Sequence, residues 1–195
     1  MIVKKTTPTK GRPSSKEQIL QATERVVIEK GAGNLTLDSV AEYAKISKGG
    51  LLYHFPNKEA LLNAMVDRFV FAYRDIIEDK MSKIDDPKNR YLKALILGLE
   101  ENNEELKAMA TSVLMFAANN PNEVQRLRDY FSDEWQELKK QSENEDIAML
   151  VKIACEGLAL TQILGLSPLS GEEKIHFIDI LNKIVDEHGN EKCGG

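Results

Sequence analysis

The chain has 195 residues, 42% of them hydrophobic and 29% charged, with a net charge of −5. That is enough for one large domain or two small ones with a sizeable core, and the composition excludes global disorder. The charge is uneven: residues 1–58 carry ten basic and five acidic side chains, the remainder sixteen and twenty-six. A basic head on an acidic body suits a protein that touches a polyanion at one end only.

Residues 1–14 read as a flexible basic arm, with Lys4, Lys5, Lys10 and Arg12 among prolines and polar residues. The arm has no apolar run of the kind a secretory signal needs. A first helix starts after Ser14 or Ser15, since Ser14 with Glu17 and Ser15 with Gln18 fit the capping-box spacing. Gly31–Gly33 end it. Thr36 caps a short second helix, Leu37–Ala44. Lys45, Ile46 and Ser47 follow, and Ser47 caps a third helix that runs to about Phe55 and stops at Pro56. Asn57 then caps a long fourth helix from Lys58 to about Lys80. Two short helices joined by three residues, behind one supporting helix, have helix-turn-helix spacing. The expected organisation is a DNA-binding domain over 15–58, a connecting helix over 58–80 and a second helical domain over 81–188.

Within that second domain, Asp86-Pro87 is expected to open a helix to about Asn102, with Pro in the first turn. Glu104–Asn119 follows, then a helix opened by Asn120-Pro121 with Glu123 and ending near Ser142. Asp146–Leu166 comes next, and Ser170 with Glu173 caps Glu172–His188. Residues 189–195 read as a disordered tail. Hairpin patterns are missing, so the fold class is all-α, a helix-turn-helix domain followed by a helical bundle. Cys155 and Cys193 form no CxxC pair and read as free thiols. The longest apolar stretch, Ile147–Leu166, is broken by Lys152, Glu156 and Gln162, too polar to span a bilayer. A cytoplasmic protein without membrane contact is expected.

The segment TLDSVAEYAKISKGGLLYHFPNKEALL, Thr36–Leu62, resembles the DNA-binding signature of the TetR family of transcriptional regulators. The resemblance covers roughly residues 15–65. It implies that the third helix enters the major groove while the second crosses the backbone. The positions it marks as DNA contacts are Thr36, Lys48, Gly49, Gly50, Tyr53, His54 and Lys58. Glycine suits a surface where DNA approaches closely. Leu51 and Phe55 are four apart and share the face that holds the helix to the core. Three positions depart from the family pattern: Lys45 stands where the turn usually has Gly, Gly50 where Thr, Ser or Asn is common, and Leu52 where Tyr is usual.

Further expectations concern the second domain. The resemblance implies a homodimer on double-stranded operator DNA, released by a small-molecule effector. The last two helices are candidates for the dimer face: in Asp146–Leu166, Lys152 and Glu156 mark a narrow polar face and leave the rest of the circumference apolar, and in Glu172–His188, Phe177, Ile178, Leu181, Ile184 and Val185 make a broad apolar face. Met109, Met115, Phe116, Trp135, Met149, Thr161 and Gln162 are candidate lining of an effector pocket, because Met and aromatic residues suit adaptable apolar cavities. Catalysis is not expected. His54, His176 and His188 lie far apart, and no metal-binding helix motif, phosphate loop or serine elbow is present. No metal or cofactor is expected. The alternative reading is a helical dimer that binds a ligand or partner without recognising an operator.

Overall fold

The computed structural model describes residues 14–101, 103–120 and 124–189. The basic arm up to residue 13, the tail from residue 190 and the helix opening expected at Pro121–Glu123 lie outside the described residues. Among the described residues there are nine α-helices, one 3-10 turn and no strand.

The first helix, α1, spans Ser15–Lys30, and the Glu17 amide donates to Ser14 Oγ at 3.2 Å. Gly31 ends it with φ 86°, a backbone that favours glycine. After a 3-10 turn at Ala32–Asn34, α2 spans Leu37–Ala44. Its capping box is tighter than the sequence suggests: the Ser39 amide donates to Thr36 Oγ1, and the Thr36 amide to Ser39 Oγ, both at 3.0 Å. Lys45 then turns the chain with φ 55° and ψ 43°. A left-handed lysine carries strain of about 1–2 kcal/mol. Lys45→Gly is therefore expected to stabilise the fold by about 0.5–1 kcal/mol after the entropy of glycine in the unfolded chain is subtracted. Urea unfolding would read this as a raised midpoint with an unchanged slope.

Helix α3 spans Lys48–His54, capped by Ser47 Oγ, which accepts the Gly50 amide at 3.1 Å. Leu51 and Phe55 are 0% and 3% exposed. They join Ile19, Val26, Val40, Leu61 and Met65 as buried apolar residues of this unit, each such side chain worth about 1.5–3 kcal/mol. Helix α4 runs over Lys58–Ser82, with the Ala60 amide donating to Asn57 Oδ1 at 2.8 Å. The chain divides into two compact units inside α4, between Met65 and Val66.

The second unit holds the rest of α4 and five more helices: α5 (Arg90–Gly98), α6 (Glu104–Asn119), α7 (Gln125–Gln141), α8 (Glu145–Ile163) and α9 (Gly171–His188). Helix α5 packs against α8 and α9. Its core gathers Leu92, Ile96, Leu138, Val151, Leu158 and Leu181.

Two helix starts differ from expectation: α7 begins only at Gln125, after a non-helical Val124, and a second lies at Asp86-Pro87. Asp86-Pro87 does not open a helix. The Lys88 amide donates to Asp86 Oδ1 at 2.9 Å and Asn89 is left-handed at φ 51°, so the segment is a turn. Helix α5 begins at Arg90 and ends at Gly98, short of Asn102. Asn144 caps α8 by accepting the amides of Asp146 and Ile147, each at 3.2 Å.

Candidate nucleic-acid interface and ligand cavity

The outer surface of α3 is built by two opposite demands. Leu51 and Phe55 hold one face in the core. The residues between them point away, and Tyr53 is 86% exposed. His54 is half-buried, its ring edge-on to Tyr53 with centroids 5.2 Å apart. Gly49 is exposed, and the nearest atom to a Cβ placed there is Ser47 Oγ at 4.0 Å, an ordinary contact. Nothing among the described residues therefore requires glycine at position 49. Gly50 is tighter, since its Cβ would meet the same oxygen at 3.3 Å.

Thr36 is exposed, but its hydroxyl is engaged: it accepts the Ser39 amide and donates to Ser39 Oγ at 3.1 Å. Lys58 is exposed in the first turn of α4. Lys48 is not a free cation. Its Nζ lies 2.9 Å from Asp38 Oδ1 and 3.0 Å from Oδ2, linking α3 to the first turn of α2. Asp38 was not singled out by the sequence. Only the helix-turn-helix geometry brings residues ten apart together.

The second unit encloses a cavity of about 700 Å³, lined from α4, α5, α6, α7, α8 and α9. That is in the range of drug-sized ligand sites, about 300–1,000 Å³. Phe69, Tyr73 and Phe131 supply aromatic faces, and Leu99, Leu106 and Val113 aliphatic ones. Of the seven residues the sequence suggested for a pocket, Gln162 lines this cavity. Met109 and Phe116 are packed away at 6% and 1% exposure, and Trp135 packs against the core. Thr161 donates its hydroxyl to the Leu158 carbonyl at 2.9 Å, Met149 is 50% exposed, and Met115 is half-buried off the lining. Sequence reasoning missed Lys152, Glu156 and Glu134. Lys152, on the lining, is 5% exposed between the two carboxylates. Burial opposes its charge, but Glu134 and Glu156 outweigh that and raise its pKa.

The residues offered as a dimer face divide. Ile178, Leu181 and Val185 are buried in the core of their own unit, with Phe177 and Ile184 packed against it. The first three thus present no surface to a second chain. Apolar surface is left open on α8: Met149, Leu150, Ile153 and Leu160, with Leu164 just beyond its end, are 42–62% exposed, while Phe71 on α4 and Leu166 are exposed at 63% and 69%. Gly157 lies in the same stripe, with nothing within 4 Å of a Cβ placed there. On α9, Ile175 is 63% exposed. Among the described residues no group of His, Cys, Asp or Glu gathers to hold a metal, and no helix is long and apolar enough to cross a membrane.

Comparison with known proteins matches both units. The family profile described as bacterial regulatory proteins, tetR family, matches residues 19–65. The tetracyclin repressor-like C-terminal domain matches residues 89–186, half of the chain. The chain is similar to the HTH-type transcriptional regulator TtgR of Pseudomonas putida, 36% identical over 53 residues, 27% of this chain and 25% of that protein. The matched stretch thus spans only about a quarter of the length of this curated relative. BetI, an HTH-type transcriptional regulator of Pseudomonas aeruginosa, is 22% identical over 156 residues, 76% of this chain and 77% of that protein. Among solved structures, transcriptional regulator SCO7518 of Streptomyces coelicolor superposes with TM-score 0.66 at 20% identity, covering 88% of this chain and 98% of that one. The multidrug binding protein EbrR complexed with malachite green has TM-score 0.64 at 18% identity, with the same coverage. The structural likenesses show the fold, and with both profiles in chain order the protein belongs to the TetR family of bacterial transcriptional regulators.

Proposed function

We propose that this protein is a homodimeric repressor that grips operator DNA with α2 and α3 and leaves it when a small molecule fills the cavity of the second unit. The observation that carries the DNA reading is the outer face of α3, with Tyr53 at 86% exposure and an exposed glycine the fold does not need. In a major groove, Gly49 and Gly50 let the backbone come close, Tyr53 and Lys58 meet phosphates, and His54 reaches a base edge or phosphate. Thr36 adds a phosphate contact from α2. Lys48 exchanges Asp38 for a phosphate, and the pairing keeps its charge in place until then.

One recognition helix reads few bases, so two copies are needed. Half-sites about 34–36 Å apart place two such helices on one face of the duplex. The open apolar stripe of α8 is the surface we assign to the second copy, with Gly157 allowing close helix approach. A ligand that prefers one arrangement of the dimer shifts the population away from the one that fits the operator. The solved EbrR complex is a precedent for a small molecule in a protein of this fold.

The test is a binding titration against the DNA upstream of the protein's own coding sequence, with a scrambled duplex of equal length beside it. Selective binding with two chains per site is expected. His54→Ala should lose about 1–3 kcal/mol on the operator and less on scrambled DNA, whereas Lys58→Ala should weaken both alike. Equal losses for His54→Ala on the two duplexes would remove it from sequence readout. Equal, weak binding to both duplexes, repeated on fragments selected from the whole genome, would favour the dimer without operator recognition.

A further inference from the structure

One buried charged cluster at the cavity does not balance. Lys152 Nζ lies 2.7 Å from Glu134 Oε2 on α7 and 2.7 Å from Glu156 Oε1, one turn along α8. It also lies 5.9 Å from the centroid of the Phe131 ring. An ammonium has three donor hydrogens, and these partners occupy it, so Lys152 is not an open anchor for an anion. Glu134 is likewise engaged, since the Tyr91 hydroxyl donates to its other oxygen. Glu156 is different. Its side chain is 36% exposed and lines the cavity, and its Oε2 has no donor among the described residues.

Two carboxylates against one ammonium leave one negative charge in this cluster, although over the whole lining Lys107, Lys152 and Lys174 stand against Glu101 and Glu156. The neighbouring groups respond to it. Burial first, then Glu134, raises the pKa of Tyr73 and of Tyr130, so both stay neutral. Burial and then Glu156 push the Cys155 thiol up to about 12. Arg74 lies over the Tyr130 ring, 5.1 Å from its centroid, on an exposed side chain. Of the other charged lining residues, Glu101 pairs with Lys80 at 3.1 Å, Lys107 is exposed and Lys174 half-buried. Water screens those charges, and the buried cluster is screened far less. The aromatic lining adds to the same preference: Phe69 and Tyr73 stack with centroids 6.2 Å apart, and aromatic faces attract cations.

We infer that the cavity takes a hydrophobic organic cation, an amine or quaternary onium with an aromatic or alkyl body, its charge set against Glu156 and the aromatic faces. This rests on the reading of the second unit as the effector-binding domain. An anion at this end of the cavity would have to draw Lys152 away from two carboxylates at once, leaving it the screened Lys107 and Lys174 elsewhere on the lining, and a neutral ligand would leave the open Glu156 oxygen unmatched.

The experiment is calorimetric titration of the full-length protein with tetraphenylphosphonium and with tetraphenylborate, ions of nearly the same shape and opposite charge. The phosphonium is expected to bind at least about tenfold more tightly. Glu156→Gln, which keeps an acceptor for Lys152, should weaken the phosphonium by about tenfold and narrow its lead over the borate. Borate binding as tight as phosphonium, binding of neither ion, or a phosphonium affinity untouched in Glu156→Gln would each overturn the inference. The wild-type comparison of the two ions holds whatever the stability of the variant. Operator binding on the same preparation separates the two possible failures. A protein that holds its operator but shows no preference for the cation refutes the ligand class alone, whereas one that binds no operator refutes the regulator.

Discussion

Ile153→Glu is expected to convert the dimer into a monomer and to weaken operator binding by roughly two orders of magnitude, because the two recognition helices then bind independently rather than as one linked pair. Ile153 is 62% exposed at the middle of the α8 stripe, between Leu150 and Gly157. Within one chain the substitution is a surface change, and those normally cost within about 0.5 kcal/mol. Across a two-fold axis the same position meets its symmetry mate or a close neighbour. Two buried glutamates there bring both desolvation and like-charge repulsion. Sedimentation of the variant should give the mass of one chain where the native protein gives two. Circular dichroism should show the helices intact. A variant that stays dimeric would move the interface off α8, and one that becomes monomeric yet keeps full operator affinity would remove the need for two linked copies.

The helix-turn-helix unit was legible because its instructions are local. Ser14, Thr36, Ser47 and Asn57 each stand one residue before a helix, and each accepts the backbone amide three residues on. Leu51 and Phe55 needed only helical spacing to be assigned inward. The second unit was legible in its helices and misread in its faces. Apolar periodicity says that two sides of a helix differ; it does not say which side is covered. On α8, Lys152 and Glu156 mark a narrow polar face, and spacing alone does not say what meets it. Lys152 is buried, because Glu134 meets it from eighteen positions away on another helix, and an apolar stripe is what remains outside. The same ambiguity put Ile178, Leu181 and Val185 on a dimer face when they fill the core of their own unit. The cavity was hidden for a related reason. Met and aromatic residues lie in cores as readily as in pockets, so composition could not separate Phe116, which is packed, from Phe131, which lines the cavity. Pro87 failed more simply: Asp86 offers its side chain to a turn before a helix can start.

Lys152→Met is expected to destabilise the second unit by about 3–5 kcal/mol, a large share of the stability of an ordinary domain. The side chains of Lys152 and Glu134 are 6% and 3% exposed, so neither charge has water to fall back on. Methionine matches the length of the lysine stem, so little of the loss is a cavity effect. It comes from a buried Glu134 left with hydroxyl donors alone. Adding Glu134→Gln removes the stranded charge while keeping a hydrogen-bonding partner for Tyr91, and should recover more than half of the loss in urea unfolding. A double variant no better than the single one would show that Lys152 acts by packing and not by charge. Buried ion pairs are often no better for stability than apolar residues of the same shape. The position of this one, on the wall of the cavity with an oxygen of Glu156 still open, is what a binding role accounts for and a purely structural role does not.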